Sequence, residues 1–287
     1  MKRKELIAML NRDLRDEHAA VVRYLIHSYQ EGEDTPTGAS LLSRCREEMW
    51  HMHWLGMIIG ELGGEPDFAL GPYPFNPKNR ATILKSYVDY ELKLIPHYNA
   101  EAEQMDNPHI QRVLRREAWE SAIHARRFQR LLDKLSPEDA RDLPGGDHGL
   151  PADFLAKLQN ELSKKYMEML QHIRTAWVFR KKDDFGWKLM DQAMEKMKHL
   201  AIFAESVAED GSLPRLKPGK VEMSRSIGSA LKVALEDADS CYRRYLKLQK
   251  DGEFRKHSGL VIKMDLALQQ TAYQIEEIQD WRKKGKK

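Results

Sequence analysis

The sequence predicts an all-α protein built as two tandem four-helix units. Strand signals are nearly absent, and apolar residues recur at spacings of three and four over long stretches. Clusters of Gly, Pro, Asp and Asn divide those stretches into eight helices. The order of elements also repeats: helix, short loop, helix, long Pro/Gly connection, helix, tight turn, helix, twice over.

The spacing predicts helices over 3–30, 37–62, 79–106, 107–135, 152–178, 183–208, 222–250 and 252–283. The breaks between them read "EGEDTPTG", "GGEPDFALGPYPFNPKN", "MDNP", "SPEDARDLPGGDHGLP", "RKKDDFG", "EDGSLPRLKPGK" and "KDGE". The second break is long enough to cross a bundle end to end, which joins parallel neighbours, whereas short turns join antiparallel ones. Tyr73 and Phe75 in it are candidates to shape a site entrance, with packing as the plainer role. Adding about 145 aligns Glu91 with Glu236, Met52 with Met197 and Leu55 with Leu200, while the first and fourth helices need about 148. The expected units are 1–138 and 150–287, with the boundary inside 136–151.

Composition narrows the function classes. With 287 residues, 41% hydrophobic and 32% charged, the chain has the make-up of a globular protein with a sizeable core. A net charge of +3 without a dense basic stripe argues against a nucleic-acid partner. No apolar run reaches transmembrane length, and "MKRKELIAML" lacks the pattern of a signal peptide, so neither a membrane span nor secretion is expected. Two distant cysteines, Cys45 and Cys241, give no disulfide framework or zinc spacing and fit a cytoplasmic location. No phosphate loop, nucleophile triad or nucleotide fingerprint occurs.

The informative signal is acidic. Phased at 100° per residue, the first helix has Leu10, Leu14, Val21 and Leu25 on its apolar face with Glu17 among them. In "REEMWHMHWLG", Glu48 lies within the second apolar face and His51 on its flank. Glu91 sits among Leu84, Tyr87, Ile95 and Tyr98, and the fourth face carries Glu117, Glu120 and His124 together. Unpaired buried carboxylates cost several kcal/mol each, against a net domain stability of about 5–15 kcal/mol. Protonation or buried arginines relieve one or two; a pair of divalent cations relieves the whole set. Oxygen-rich ligation with imidazoles favours iron or manganese over zinc.

A Glu from each of two helices plus Glu-x-x-His from each of the other two is the donor set of ferritin-like di-iron carboxylate bundles. The first half resembles bacterioferritins and rubrerythrins of that superfamily. "LNRDLRDEHAAVVRYLIH" is similar to their first helix, with Glu17 as ligand and Tyr24 as companion; "EEMWHMHWL" supplies Glu48 and His51; "YVDYELKL" supplies Glu91. The resemblance covers 6–135 and is faint after 150. "LRREAWESAIHARRF" departs from the pattern, with Glu120 three after Glu117 and His124 a turn later. Either Glu120 replaces the imidazole, or His124 supplies it and Glu120 bridges.

The resemblance implies two ferritin-like bundles packed as an intrachain pseudo-dimer, with two irons per chain and manganese as the substitute. Glu17 and His51 are then terminal ligands on one metal, Glu91 is terminal on the other, and Glu48 and Glu117 bridge. Oxidation by O2 or peroxide is the expected chemistry, at metals about 3.5–4 Å apart. No rubredoxin-like Cys-x-x-Cys occurs, so an electron donor or small-molecule substrate must come from elsewhere. Iron storage and a metal-free interaction module are the competing classes. A fused second bundle disfavours a large cage, although smaller oligomers remain compatible. Met49 and Met194 occupy the position of the haem-ligating Met of bacterioferritins, but methionine is common in cores and haem is not expected.

In the second half, the same alignment puts Lys165 at Glu17, Ala193 at Glu48, Lys196 at His51, Glu236 at Glu91, Asp265 at Glu117 and Leu268 at Glu120. Glu195 and His199 phase to a solvated face. That half is expected to lack a metal pair.

Overall fold

The computed structural model describes residues 1–72, 79–138, 149–182 and 184–284. Among them are eight α-helices, one 3-10 turn and no strand: α1 Arg3–Glu31, α2 Pro36–Glu61, α3 Arg80–Glu103, α4 Pro108–Leu132, α5 Ala152–Val178, α6 Phe185–Glu209, α7 Ile227–Leu248 and α8 Ser258–Lys284. None of these helices is long and apolar enough to cross a membrane. Tyr73 and Phe75 lie outside the described residues.

Local chemistry sets the boundaries. Gly32 ends α1 at φ 83, a left-handed conformation that costs a glycine little. Thr35 then caps α2 by accepting from Gly38 N at 3.0 Å, with Pro36 opening the first turn. Asn79 and Thr82 form a reciprocal capping box on α3, and Asn107 caps α4 ahead of Pro108. α7 begins later than its periodicity suggests, because Ser226 caps it and residues before that cap are tied to α5. Likewise α8 starts at Ser258, since Phe254–Lys256 form a separate 3-10 turn.

The chain divides into two compact units, Met1–Gly146 and Asp147–Lys287. In the first, α1 packs with α2, α3 with α4, and α2 with α4. Tyr24, Tyr87 and Phe128 from α1, α3 and α4 form a buried aromatic cluster at one level of this core. In the second, α5 packs with α6, α7 with α8, α6 with α8, and α5 with α7.

Each long connection runs along the first helix of its unit. Asn11 binds Glu65 O and Asp67 N, the His18 ring bonds Phe68 O, and Gly71 N donates to Arg15 O. In the second unit Gln159 binds Leu213 O and Arg215 N, Gln171 receives Glu222 N, and Arg174 donates to Met223 O and Ser224 O at 2.8 and 2.7 Å. These contacts progress from 159 to 174 along α5, so this connection traverses much of the helix and starts α7 well away from the end of α6.

Candidate metal centre

The inward turns of α1–α4 bring acidic and imidazole side chains to one buried level. Glu17, Glu48, His51, Glu91, Glu117 and His124 are each no more than 2% exposed. Two groups have donor atoms mutually within 4.8 Å: Glu17, Glu48 and His51, and Glu48, Glu91 and His124. Glu48 belongs to both. Its Oε2 lies 2.7 Å from His51 Nδ1, and its Oε1 lies 2.7 Å from His124 Nδ1. Glu17 Oε2 is 3.0 Å from His51 Nδ1, and Glu91 Oε1 is 3.7 Å from His124 Nδ1. The two imidazoles stack with centroids 6.3 Å apart.

A shell of hydrogen bonds fixes these groups. His51 Nε2 meets Glu120 Oε2 at 2.6 Å, and His124 Nε2 meets Glu47 Oε2 at 2.6 Å. Each imidazole therefore turns Nε2 towards a carboxylate and Nδ1 towards Glu48, the arrangement in which an outer carboxylate fixes a ligand histidine. Tyr98 OH donates to Glu17 Oε1, and Tyr24 OH donates to Glu91 Oε1. Tyr87 instead bonds His27. Arg44 and Arg116 hold Glu47 and Glu120 in turn, at 2.8 and 2.9 Å.

Glu117 is different. It is fully buried, and both its oxygens accept no hydrogen bond. Burial, reinforced by Glu17, Asp13 and Glu48 against the opposing pull of His51, pushes its carboxyl well above the ordinary range. Burial and the charge of Glu48 raise Glu17 to about 8. Burial alone would discharge the imidazoles, but Glu17 and Glu48 hold His51, and Glu48 and Glu47 hold His124, well above their usual value. Glu48 resists burial through His124 and His51 and stays well below its ordinary value. This crowding of buried acids, with a carboxyl that makes no hydrogen bond, is what added positive charge would relieve. Carboxylate and imidazole donors gathered in this way could hold divalent transition-metal ions.

The seven sequence candidates thus fall into two positions. Glu17, Glu48, His51, Glu91, Glu117 and His124 are buried at the centre, while Glu120 lies beyond His51. Sequence phasing missed Glu47, since nothing in its own helix marks it and its role comes from His124 on α4. His18 is buried and Cys45 is a core residue. Met49 packs partly buried against the core, whereas Met194 is about half exposed.

The second unit requires corrections to the sequence alignment. Buried positions Leu158, Leu162 and Lys165 of α5 follow Leu10, Leu14 and Glu17 by 148. Leu189, Ala193, Lys196, His199 and Leu200 follow Leu41, Cys45, Glu48, His51 and Met52 by the same number. In α7 the interval is 147, pairing Tyr87, Glu91 and Tyr98 with Ala234, Ala238 and Tyr245. In α8 it is 150, pairing Ile110, Glu117, His124 and Phe128 with Leu260, Ala267, Gln274 and Ile278. At the α6 interval of 148 Lys196 matches Glu48, where an interval of 145 matches Ala193; both positions are buried. Glu236 is exposed and pairs loosely with Lys232, and Asp265 is exposed, so neither is a buried counterpart. His199 is buried, contrary to its predicted solvated face, and bonds Gln270 at 2.9 Å. Lys165 Nζ pairs with Glu168 at 2.6 Å and contacts Cys241 Sγ at 2.9 Å; Lys196 Nζ reaches Gln274 at 3.3 Å. Among the described residues, no candidate metal cluster occurs in this unit.

No protein-family model matches the chain, and comparison with curated proteins gives no significant match.

Proposed function

We propose that the first unit is a ferritin-like four-helix bundle with a non-haem di-metal centre, taking iron or an iron/manganese pair, and that it performs redox chemistry with O2 or peroxide. The observation that carries this reading is the position of Glu48, one carboxylate whose two oxygens face two separate histidine–glutamate groups. Glu17 and His51 would hold one metal, Glu91 and His124 the other, with Glu48 and the donorless Glu117 between them. Bound iron would supply redox electrons and coordination positions for O2 or peroxide.

The chain's own residues prepare that chemistry. Glu120 and Glu47 accept from the histidine Nε2–H groups and keep Nδ1 turned inward, so Glu120 acts as a positioning residue in this reading. Tyr98 and Tyr24 fix one oxygen of Glu17 and of Glu91. Leu55 of α2 and Leu114 and Ala118 of α4 are buried on the same helices.

We further infer that the chain is a tandem duplication whose second bundle has lost the site. The matching buried registers support it, as does the chemistry at the matched positions: Lys165, Lys196, Ala238, Ala267 and Gln274 replace Glu17, Glu48, Glu91, Glu117 and His124. Ammonium groups in place of carboxylates repel cations. Anaerobic Fe(II) reconstitution with metal analysis tests the reading. Bound iron lost on Glu17→Ala supports it, and an iron-free chain favours the interaction module instead. Activity towards peroxide then separates an enzyme from an iron-handling protein, and solution mass tests for a cage.

A further inference from the structure

The central cluster leaves a second group of ligand-type side chains unused. Asp13 lies on the inward face of α1 four residues before Glu17, about 6 Å along the helix axis, and is fully buried. His97 and Glu101 stand one turn apart on α3, on either side of Tyr98, whose hydroxyl bonds Glu17. His97 Nε2 is 3.3 Å from Asp13 Oδ1 and 3.5 Å from Glu101 Oε1. One donor atom from each of the three lies within 4.8 Å of the other two.

An ion-pair network is the plainer account of such a group, and Arg12 is present to make one. Its guanidinium bonds Glu101 Oε1 and comes within 3.7 Å of Asp13 Oδ1. Yet Asp13 Oδ2 and Glu101 Oε2 are buried and accept no hydrogen bond. Arg12 and His97 thus leave one buried oxygen of each carboxylate without a nitrogen donor. Two carboxylates and an imidazole make a ligand set for a divalent transition-metal ion. Arg12 and His97 are partly exposed, with 47% and 35% of their side chains accessible, so the group borders solvent.

We propose that Asp13, His97 and Glu101 form an outer site for a divalent transition-metal ion, through which ions from solvent load the central cluster. The loading role rests on the di-metal reading above; the outer site does not.

Anaerobic Co(II) binding to the full chain, followed by equilibrium dialysis and visible absorption, tests both. Asp13→Asn/Glu101→Gln is expected to bind about one equivalent fewer Co(II) than the unmodified chain, and Glu48→Gln/Glu117→Gln to retain that equivalent. Arg12→Ala is expected to tighten the outer site about threefold, a gain that a folding defect does not produce. Equal Co(II) counts for the unmodified chain and Asp13→Asn/Glu101→Gln overturn the site. If the Asp13/Glu101 variant alone loses all Co(II), the outer site stands and the central reading fails. In stopped-flow mixing, filling of the inner positions should slow about tenfold in the Asp13/Glu101 variant; an unchanged rate overturns the loading role.

Discussion

The two units place similar apolar side chains at matched inward positions and opposite charges between them. Leu10, Leu14 and Leu55 have counterparts in Leu158, Leu162 and Phe203, yet Glu17 and Glu48 stand where the second unit has Lys165 and Lys196. The second unit satisfies its buried lysines locally. Lys165 pairs with Glu168, which Arg244 also binds at 2.6 Å, and Lys196 reaches Gln274. The first unit pairs Glu17, Glu48 and Glu91 with imidazoles and tyrosines but leaves Glu117 with no hydrogen-bond partner. Helix packing in this chain therefore requires neither Glu48 nor His124. The first unit thus carries an electrostatic cost at Glu117 that has no parallel at Ala267 in the second, as the proposed metal centre would require.

The largest expected break in this comparison is at Glu117. Glu117→Leu should stabilise the metal-free protein by about 1–3 kcal/mol, because it removes a buried carboxyl with no hydrogen-bond partner. Metal affinity should fall at least about tenfold in the same variant. Chemical denaturation with and without iron measures both effects. Destabilisation without iron would mean that Glu117 has a partner in solution.

Opposite pH responses come next. Folded Glu17 holds its proton up to about pH 8, against 4.5 for the free group, and His51 and His124 also hold theirs beyond the usual value. These three groups bind more protons folded than unfolded, so without metal their contribution to the first unit's stability should fall as pH rises from about 4.5 towards 8. Lys196 behaves in reverse. Burial and the charge of Lys165 lower it to about 8 from 10.5, so the unfolded chain binds more protons between those values. Its contribution should therefore stabilise the second unit as pH rises from about 8 to 10.5. Hydrogen-exchange mass spectrometry reads peptides of the two units separately, and slopes of the same sign in those windows would contradict the assignment.

Glu120 should give a smaller effect. Glu120→Ala removes the acceptor for His51 Nε2–H without removing a proposed ligand, so iron affinity should fall about 10–100-fold with binding stoichiometry unchanged. Chelator competition measures this, and loss of a whole equivalent would make Glu120 a ligand. The smallest effect belongs to Glu236. Its exposed side chain predicts a stability change within about 0.5 kcal/mol for Glu236→Gln, with no change in bound metal.

The helices and the inward phase of the first-unit acids were legible because 100° phasing places Glu17, Glu48, Glu91 and Glu117 among core leucines and tyrosines. The second unit was harder for a physical reason. Shifting the α2–α6 alignment by three residues stays on the same helix face, so matching Met52 and Leu55 to Met197 and Leu200 looks as good as an interval of 148, with Lys196 opposite His51 in the first and opposite Glu48 in the second. A two-residue error, as with Glu236 for Ala238 and Asp265 for Ala267, crosses to the opposite face. Glu47 was not legible because its inward tie comes from a helix about 77 positions away. Asp13 and His97 were likewise connected only by the packing of α1 on α3.

The proposed di-metal centre depends most on Glu48, whose two oxygens face His51 and His124. Iron analysis of the full chain after anaerobic Fe(II) reconstitution and desalting, with and without Glu48→Ala, tests it most directly. The expected result is a loss of about two equivalents of iron in the variant. Equal iron contents in the two proteins would contradict the account.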